Sequence, residues 1–191
     1  SQFGEDLWQS IDTLQQVSGT KIDTYRAPGF SITRECLWAF EILQKLGIDT
    51  DCSIFPASRA HGGIPEYSTA YPSVIQHGDI SIKSLPINTA SILGKKIVYS
   101  GGGYFRLLPL WYLRQRFRND DYIMTYFHPR DFDPDQPMVP GLGIARKFKS
   151  YVGLSRAYNK LEFLLRTHSF VDVSSAVTTI DWLKVNRVVL K

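Results

Sequence analysis

Cysteine is scarce in this sequence of 191 residues, and the two present, Cys36 and Cys52, allow at most one disulfide. A disulfide-rich secreted scaffold is therefore excluded. No apolar run approaches the ~18–20 residues of a transmembrane helix, and the N-terminus lacks the zones of a signal peptide. The net charge of +4 permits binding to nucleic acid without suggesting it. We expect a soluble chain with no membrane span and no nucleic acid as a partner.

The length and composition are those of a folded domain. A hydrophobic fraction of 43% with 13% aromatic residues is close to the average of globular proteins. We therefore expect one domain over residues 1–191. Because the sequence begins with Ser1 and enters an amphipathic pattern at once, we expect it to be a fragment of a longer protein. The sequence leaves open whether that parent is cytoplasmic or associated with the cell envelope.

Hydrophobic periodicity predicts alternating helices and strands in the first part of the chain. Apolar residues recur at helical spacing over residues 3–17, and Gly19 follows where a left-handed C-terminal cap belongs. Strands over 21–25 and 51–55 flank a second helix that ends at Gly47. This order of elements, with short connections, predicts an α/β fold with parallel strands.

The pattern is more broken in the rest of the chain, where proline and glycine punctuate shorter segments. The remaining predicted elements are, in chain order, a long loop over 57–73, strands over 80–85, 95–99 and 122–127, a helix over 104–118, and a last long helix that begins at Ser155.

Polar side chains lie directly after two of the predicted strands and at the start of a third. They lie in the stretches 26–29, 51–53 and 128–131. In parallel α/β folds the carboxyl ends of the strands meet at one edge of the sheet, where ligands and catalytic groups collect. The three stretches are therefore candidates for one site. The alternative is that each only terminates its strand, with Arg26 in a surface ion pair and His128 bonded to backbone.

The spacing of possible ligands argues against a metal site built from this chain alone. The four histidines, His61, His77, His128 and His168, are far apart, and none has a second His or Cys at a ligand spacing. The acidic stretch 131–135 lacks the turn glycine and the glutamate in the twelfth position of a calcium-binding loop.

Two further stretches allow both a structural and a functional interpretation. Gly101 to Gly103 lacks the Gly-Lys-Ser/Thr of a phosphate-binding loop, so a sharp turn before a helix explains it better. The basic residues Arg114, Arg116 and Arg118 could meet phosphates or a membrane surface, but a solvated helix face is favoured because apolar core positions lie in the same stretch.

Five short blocks occur in an order that is typical of one enzyme family. They are Tyr25-Arg-Ala-Pro-Gly-Phe-Ser-Ile-Thr33, Asp51-Cys-Ser-Ile-Phe-Pro56, Gly101-Gly-Gly-Tyr-Phe-Arg-Leu-Leu-Pro109, Phe127-His-Pro-Arg-Asp131 and Tyr151-Val-Gly-Leu-Ser-Arg156. Together they resemble the polysaccharide deacetylases, the chitooligosaccharide deacetylase homology family of metal-dependent carbohydrate esterases. The resemblance is to the C-terminal portion of the subgroup found with exopolysaccharide biosynthesis genes. The first block is similar to that family's third motif, Arg-x-Pro.

Two motifs of the family are absent from this sequence. The first, an Asp-bearing segment such as Thr-Phe-Asp-Asp-Gly, supplies the catalytic base and a metal-binding Asp. The second, His-x-x-x-His, supplies the other metal ligands. Both of these motifs would precede Ser1. In the third motif, Gly29 stands where many relatives have Tyr. The resemblance therefore implies a partial or distorted (β/α) barrel of the deacetylase type that lacks its N-terminal strands.

The chemistry implied by the resemblance is hydrolysis of N-acetyl groups on a hexosamine-containing polysaccharide. In such enzymes a divalent metal, usually zinc, activates a water molecule and polarises the amide carbonyl. The resemblance makes His128 the general acid that protonates the leaving amine, and Arg26 the residue that orients the catalytic Asp. It makes Asp51 the carboxylate that holds the imidazole of His128.

The substrate implied is an N-acetylated polysaccharide, with Pro28, Gly29 and Phe30 as its binding residues and the Gly29 N–H as an oxyanion donor. The metal belongs to the parent protein, and none is expected to bind to this chain alone, which is therefore expected to be inactive by itself. A non-catalytic carbohydrate-binding or interaction module is the alternative. A sheet edge left unpaired by missing strands favours a homo-oligomer.

Overall fold

The computed structural model describes residues 1–57, 62–92 and 94–191. Part of the predicted loop, residues 58–61 with His61, lies outside the described residues. The protein has a mixed α/β structure in which helices accompany a sheet with both parallel and antiparallel pairs.

The described residues form two compact units. The first unit consists of Ser1–Ile87 and Val177–Lys191, and the second of Asn88–Ala176. The expectation of a single domain over residues 1–191 stays a prediction.

Helices and strands alternate over the first four elements, after which the chain forms mostly strands up to Ile97 and then mostly helices. In chain order they are α1 (Gln2–Ser18), β1 (Thr24–Tyr25), α2 (Trp38–Lys45), β2 (Thr50–Asp51), β3 (Ser73–His77), β4 (Ile80–Ser84), β5 (Ala90–Ile92), β6 (Lys95–Ile97), α3 (Gly102–Leu107), α4 (Leu110–Asn119), α5 (Ile144–Tyr151), α6 (Leu154–Thr167), α7 (Val173–Thr179) and β7 (Asn186–Val189), with 3₁₀ turns at Pro28–Phe30, Arg34–Cys36 and Pro129–Phe132.

The first unit opens with the predicted helix and its predicted cap. Gly19 follows α1 with a φ of 66°, and its N–H donates to the carbonyl of Gln15 at 2.9 Å. A residue without Cβ adopts this left-handed conformation at no steric cost. The helix buries Leu7 and Ile11, which join the core of the unit.

Five strands form the sheet of the first unit, in the order β1-β2-β4-β3-β7. β1 pairs with β2 in parallel, and β2 pairs with β4 in parallel. The parallel pairing of the first two predicted strands is therefore confirmed, although each is shorter than the sequence predicted. The register places Tyr25, Asp51 and Ser84 side by side at the carboxyl ends of these three strands.

The mixed character of the sheet comes from β3, which the sequence did not predict. β3 runs antiparallel to β4 and parallel to β7. Val74 and Ile75 are adjacent and both buried, so β3 lacks the alternation by which a half-buried strand is recognised.

The core of the first unit lies between the helices and the sheet. Its fully buried members come from α2 and from the strands and their continuations, and include Phe40, Leu43, Ile54, Ile75 and Ile82. This packing fixes the sheet whose carboxyl-end edge carries Arg26 and Asp51.

The second unit begins with the antiparallel pair β5 and β6. The single helix predicted over 104–118 is wrong, because the chain forms two helices, α3 and α4, separated at Leu108 and Pro109. Leu108 is extended, with a ψ of 141°. Proline lacks an N–H and clashes with a helical residue before it, so the first helix ends there.

The strand predicted over 122–127 is also wrong for most of its length, because among the described residues it pairs only through a bridge between Tyr126 and Gly101. Side chains take the place of a neighbouring strand. The Asn88 amide accepts from the Met124 N–H at 2.7 Å and donates to the Tyr122 carbonyl at 2.7 Å. A Cβ on Gly101 would lie 2.0 Å from the Tyr126 carbonyl oxygen, so this close approach requires glycine.

Two of the three arginines of α4 are engaged within the second unit. Arg116 pairs with Asp120 at 2.6 Å, and the guanidinium of Arg114 lies 4.8 Å from the centroid of the Phe163 ring. These contacts favour a structural role for this basic stretch over a phosphate-binding one. Within the part of the chain that the structure describes, no helix has the length and apolarity needed to cross a bilayer.

Candidate functional site

The turn that follows β1 carries the first group of predicted site residues. Gly29 and Phe30 both have positive φ, 62° and 56°, and Phe30 is the one non-glycine with this conformation among the described residues. Backbone in this region is strained for a residue with a side chain, and such strain is often found at functional sites. The guanidinium of Arg26 lies 5.8 Å from the centroid of the Phe30 ring.

Two contacts hold this turn in place. The N–H of Ala27 donates to the hydroxyl of Ser53 at 2.7 Å, which ties the turn to the segment after β2. Gly62 lies against the other side, where an added Cβ would be 1.9 Å from the carbonyl oxygen of Phe30. Ser53 and Gly62, which lie far from the turn in the sequence, therefore hold its strained backbone in place.

Asp51, at the carboxyl end of β2, is completely buried. Its Oδ2 accepts a hydrogen bond from the Ser53 N–H at 3.0 Å, whereas its Oδ1 has no partner among the described residues. Burial raises the pKa of this carboxyl to about 6, against the opposing effects of hydrogen bonds from Ser53 and Ile54 and of the charge of Arg26. Asp51 and Arg26 therefore interact at the carboxyl-end edge of the sheet.

Other buried polar groups surround Asp51. Burial, together with the negative charge of Asp51, raises the pKa of the Cys52 thiol to about 12. Burial likewise raises the pKa of Tyr67 to about 12, and its hydroxyl lies 2.6 Å from that of Ser73. We call Arg26, Asp51, Cys52 and Ser53 the strand-end cluster.

The remaining predicted catalytic residue, His128, lies in the second unit. Its side chain is about half exposed, at 52%, and precedes the 3₁₀ turn Pro129–Phe132. The Nε2 atom lies 3.0 Å from the Tyr126 hydroxyl, and Nδ1 lies 3.7 Å from Oδ2 of Asp131. The same Oδ2 accepts from the His128 backbone N–H at 3.0 Å.

Asp131 in turn forms a buried ion pair. Its Oδ1 lies 3.3 Å from Nε of Arg106, and both side chains are less than a tenth exposed. The Arg106 guanidinium also donates to the carbonyls of Ser150 at 2.7 Å and Lys149 at 2.9 Å. We call Arg106, Tyr126, His128 and Asp131 the histidine cluster.

The sequence placed Asp131 in the candidate stretch 128–131 without an individual role, and it did not predict Arg106 or Tyr126 beside the histidine. One local signal for Asp131 was present. His128 is followed by a proline and, three positions on, by the acidic Asp131, a pattern that is typical of a capped turn. Arg106 carried no such local signal, because its partners lie 25 and more residues away in the sequence.

The described residues do not fit a bound metal. No group of three or more His, Cys, Asp or Glu side chains in ranges 1–57, 62–92 and 94–191 is placed to hold a metal ion. A catalytic zinc requires three protein ligands. No reaction step through a metal can therefore be derived from these residues.

The model of a domain of unknown function, DUF3473, matches residues 52–178, more than half of the chain. The chain belongs to the DUF3473 family. No curated protein and no solved structure shows significant similarity to it. The whole histidine cluster lies within the matched region of the DUF3473 domain, whereas Arg26 and Asp51 precede it.

The roles that the resemblance assigns to individual residues stay predictions. The first unit brings Arg26 and Asp51 together, with Gly29 and Phe30 in the turn that Arg26 begins. His128 has Asp131 as a carboxylate neighbour within its own turn. The predicted pairing of His128 with Asp51 stays a prediction.

Proposed function

We propose that this chain carries the general-acid part of an enzyme that hydrolyses N-acetyl groups of a hexosamine-containing polysaccharide. The observation that carries the proposal is Asp51, a fully buried carboxyl with a raised pKa beside an arginine at the end of parallel strands. Carboxyl groups in such surroundings are typical of catalytic sites, because a structural role rarely requires a buried charge.

The incomplete hydrogen bonding of Asp51 supports a role beyond folding. Its Oδ1 is buried and has no partner among the described residues. A buried unsatisfied oxygen costs about 1–3 kcal/mol, and native proteins have few of them. An oxygen in this condition is available for a partner that binds or moves during a reaction.

In the proposed reaction, water adds to the amide carbonyl and the C–N bond breaks. His128 donates a proton to the amine as it leaves, and acetate is the second product. Arg26 orients the carboxylate that takes the proton of the water. The half-exposed ring of His128, with a carboxylate near Nδ1 and a hydroxyl near Nε2, has the surroundings of a histidine that exchanges protons.

The carboxylate base and the metal ligands of the resembled family have no counterpart in residues 1–191. We therefore assign them to another part of the natural protein, and residues 1–191 alone are expected to release no acetate. In this proposal the sheet is part of a distorted (β/α) barrel, and the edge strand β1 is where further parallel strands pair.

The test is acetate release from N-acetylglucosamine oligosaccharides by the natural protein that contains this sequence. Replacing Arg26→Gln should lower kcat about 10²-fold, since a misplaced catalytic group costs about that much. Arg34→Gln is the matched control and should keep full activity. Arg34 is two-thirds exposed, and its ion pair with Glu66 is long, at 4.0 Å. Glycan binding without acetate release would instead support a non-catalytic carbohydrate-binding module.

A further inference from the structure

The second unit contains a cleft of about 660 Å³ at the start of α6. Its positive charges come from Arg106, Arg156 and Lys160, and its uncharged polar groups from Ser155 and Asn159. None of the described residues that line the cleft is acidic. An excess of one charge around a concave surface attracts ligands of the opposite charge.

Two of the three cations are fixed by the protein. The guanidinium of Arg106 is held by Asp131 and by two backbone carbonyls. The ammonium of Lys160 donates to the carbonyls of Arg106 at 2.6 Å, Leu108 at 2.7 Å and Phe105 at 3.3 Å. It therefore contributes charge to the cleft rather than a free donor. Carbonyl oxygens orient a charge without neutralising it, so of these two cations Arg106 alone has a counter-ion among the described residues.

Arg156 adds a charge that the described residues do not balance. It is exposed and takes part in none of the ion pairs of the described chain. Burial lowers the pKa of Lys160, and the charge of Arg156 lowers it further. Arg156 and Lys160 therefore repel each other, and an anion in the cleft would relieve that repulsion.

The wall formed by the first turn of α6 is fixed in position. Gly153 precedes the helix with a φ of 71°, and a Cβ added there would lie 2.4 Å from the carbonyl oxygen of Arg106. No side chain caps this N-terminus. The first N–H groups of a helix carry partial positive charge, which adds to the charge of the side chains.

We propose that this cleft binds the carboxylate or phosphate group of a ligand about the size of a sugar unit. The surplus of positive charge selects the anionic group. The volume is larger than an inorganic ion fills and lies within the ~300–1,000 Å³ of small-molecule sites. The proposal is independent of the deacetylase activity, in which neither Arg156 nor Lys160 has a role.

Three sugars that share one ring and differ in charge test the proposal: glucose, glucuronic acid and glucose 6-phosphate. NMR titrations of the 191-residue chain would follow the backbone amides of residues 153–160. At least one charged sugar should bind with a Kd of about 1 mM or tighter, and glucose should not bind comparably. Binding should weaken when ionic strength rises from about 0.05 M to about 0.5 M.

Variants of one arginine identify the site. Arg156→Gln should weaken binding about tenfold or more, and Arg156→Glu should abolish it. Arg166→Gln is the control, because it removes the same charge from the same helix at a side chain that is 77% exposed, and it should leave Kd unchanged. The charged sugar that binds distinguishes a carboxylate ligand from a phosphate ligand.

Three results would each overturn the proposal. They are the binding of neither charged sugar, binding of glucose as tight as that of the charged sugars, and equal weakening by the Arg156→Gln and Arg166→Gln variants. Both arginines are exposed, so amide spectra of the variants should keep the dispersion of the unaltered chain.

Discussion

Oδ2 of Asp131 accepts a hydrogen bond from the backbone N–H of His128 at 3.0 Å, and the same oxygen lies 3.7 Å from Nδ1 of the His128 ring. The other oxygen of this carboxylate pairs with Arg106 inside the second unit. The position of the imidazole therefore depends on a buried ion pair.

Removal of this carboxylate should destabilise the protein strongly. Asp131→Ala leaves the buried guanidinium of Arg106 without its counter-ion, which typically costs about 3–5 kcal/mol. Urea unfolding at neutral pH measures the loss. Asp135→Ala, an exposed aspartate four residues on, should change the free energy of unfolding by less than about 0.5 kcal/mol. Equal effects of the two variants would show that the ion pair does not hold the turn.

Asp51 should make stability fall as pH rises through the weakly acidic range. Its pKa is about 6 in the folded protein, because of burial, and 3.8 without that environment. Between about pH 4 and pH 6 the unfolded chain gives up this proton while the folded protein keeps it, so stability decreases as pH rises. Full ionisation of Asp51 lowers the free energy of unfolding by about 3 kcal/mol.

The Asp51→Asn variant isolates this effect. The free energy of unfolding, measured in urea from pH 4 to pH 8, should exceed that of the unaltered protein above pH 6, and the difference should vanish towards pH 4. Asp49→Asn is the matched control, and it should lower the free energy of unfolding instead of raising it. Hydrogen bonds from Thr50 and Lys83 hold the pKa of Asp49 below its usual value despite partial burial. Superimposable pH profiles for Asp51→Asn and the unaltered protein would contradict the buried-carboxyl account.

The strained turn after β1 should depend on Gly62. A Cβ at this position would overlap the carbonyl oxygen of Phe30, so Gly62→Ala should destabilise the protein by about 1–3 kcal/mol. Gly4→Ala offers a contrast within the same unit, because its Cβ would be 3.4 Å from Ile42 and it lies in α1. That variant should be about 0.5 kcal/mol more stable, as alanine favours a helix. A Tm of Gly62→Ala at or above that of the unaltered protein would argue against a tightly fixed turn.

The sequence predicted those elements in which the spacing of apolar residues and the position of the flanking turn residues indicate the same boundaries. The helix that ends at Gly19 and the parallel strands on either side of α2 followed from apolar spacing and turn residues. The predicted parallel order also led to the expectation that stretches 26–29 and 51–53 share one edge of the sheet, and β1 and β2 end side by side at Tyr25 and Asp51.

Two physical causes explain the failures, namely tertiary partners that override the local pattern and a proline within an apolar pattern of helical spacing. Asn88 satisfies the backbone around Met124 from 36 residues away, so an apolar segment needs no neighbouring strand. Pro109 interrupts an otherwise helical stretch. The pairing of Arg106 with Asp131 and the charge around Arg156 depend on contacts between distant segments, which periodicity does not encode.

The most direct test of the proposed function is the kcat for acetate release from N-acetylglucosamine oligosaccharides by the natural protein and its His128→Ala variant. The proposal predicts a loss of about 10²–10⁴-fold, the usual range for a removed general acid, with an unchanged metal content. His168→Ala, in the same unit, should stay within about twofold of the unaltered protein, since single substitutions away from the reacting groups have small effects. Full activity of His128→Ala, or no acetate release by the unaltered natural protein, would contradict the proposal.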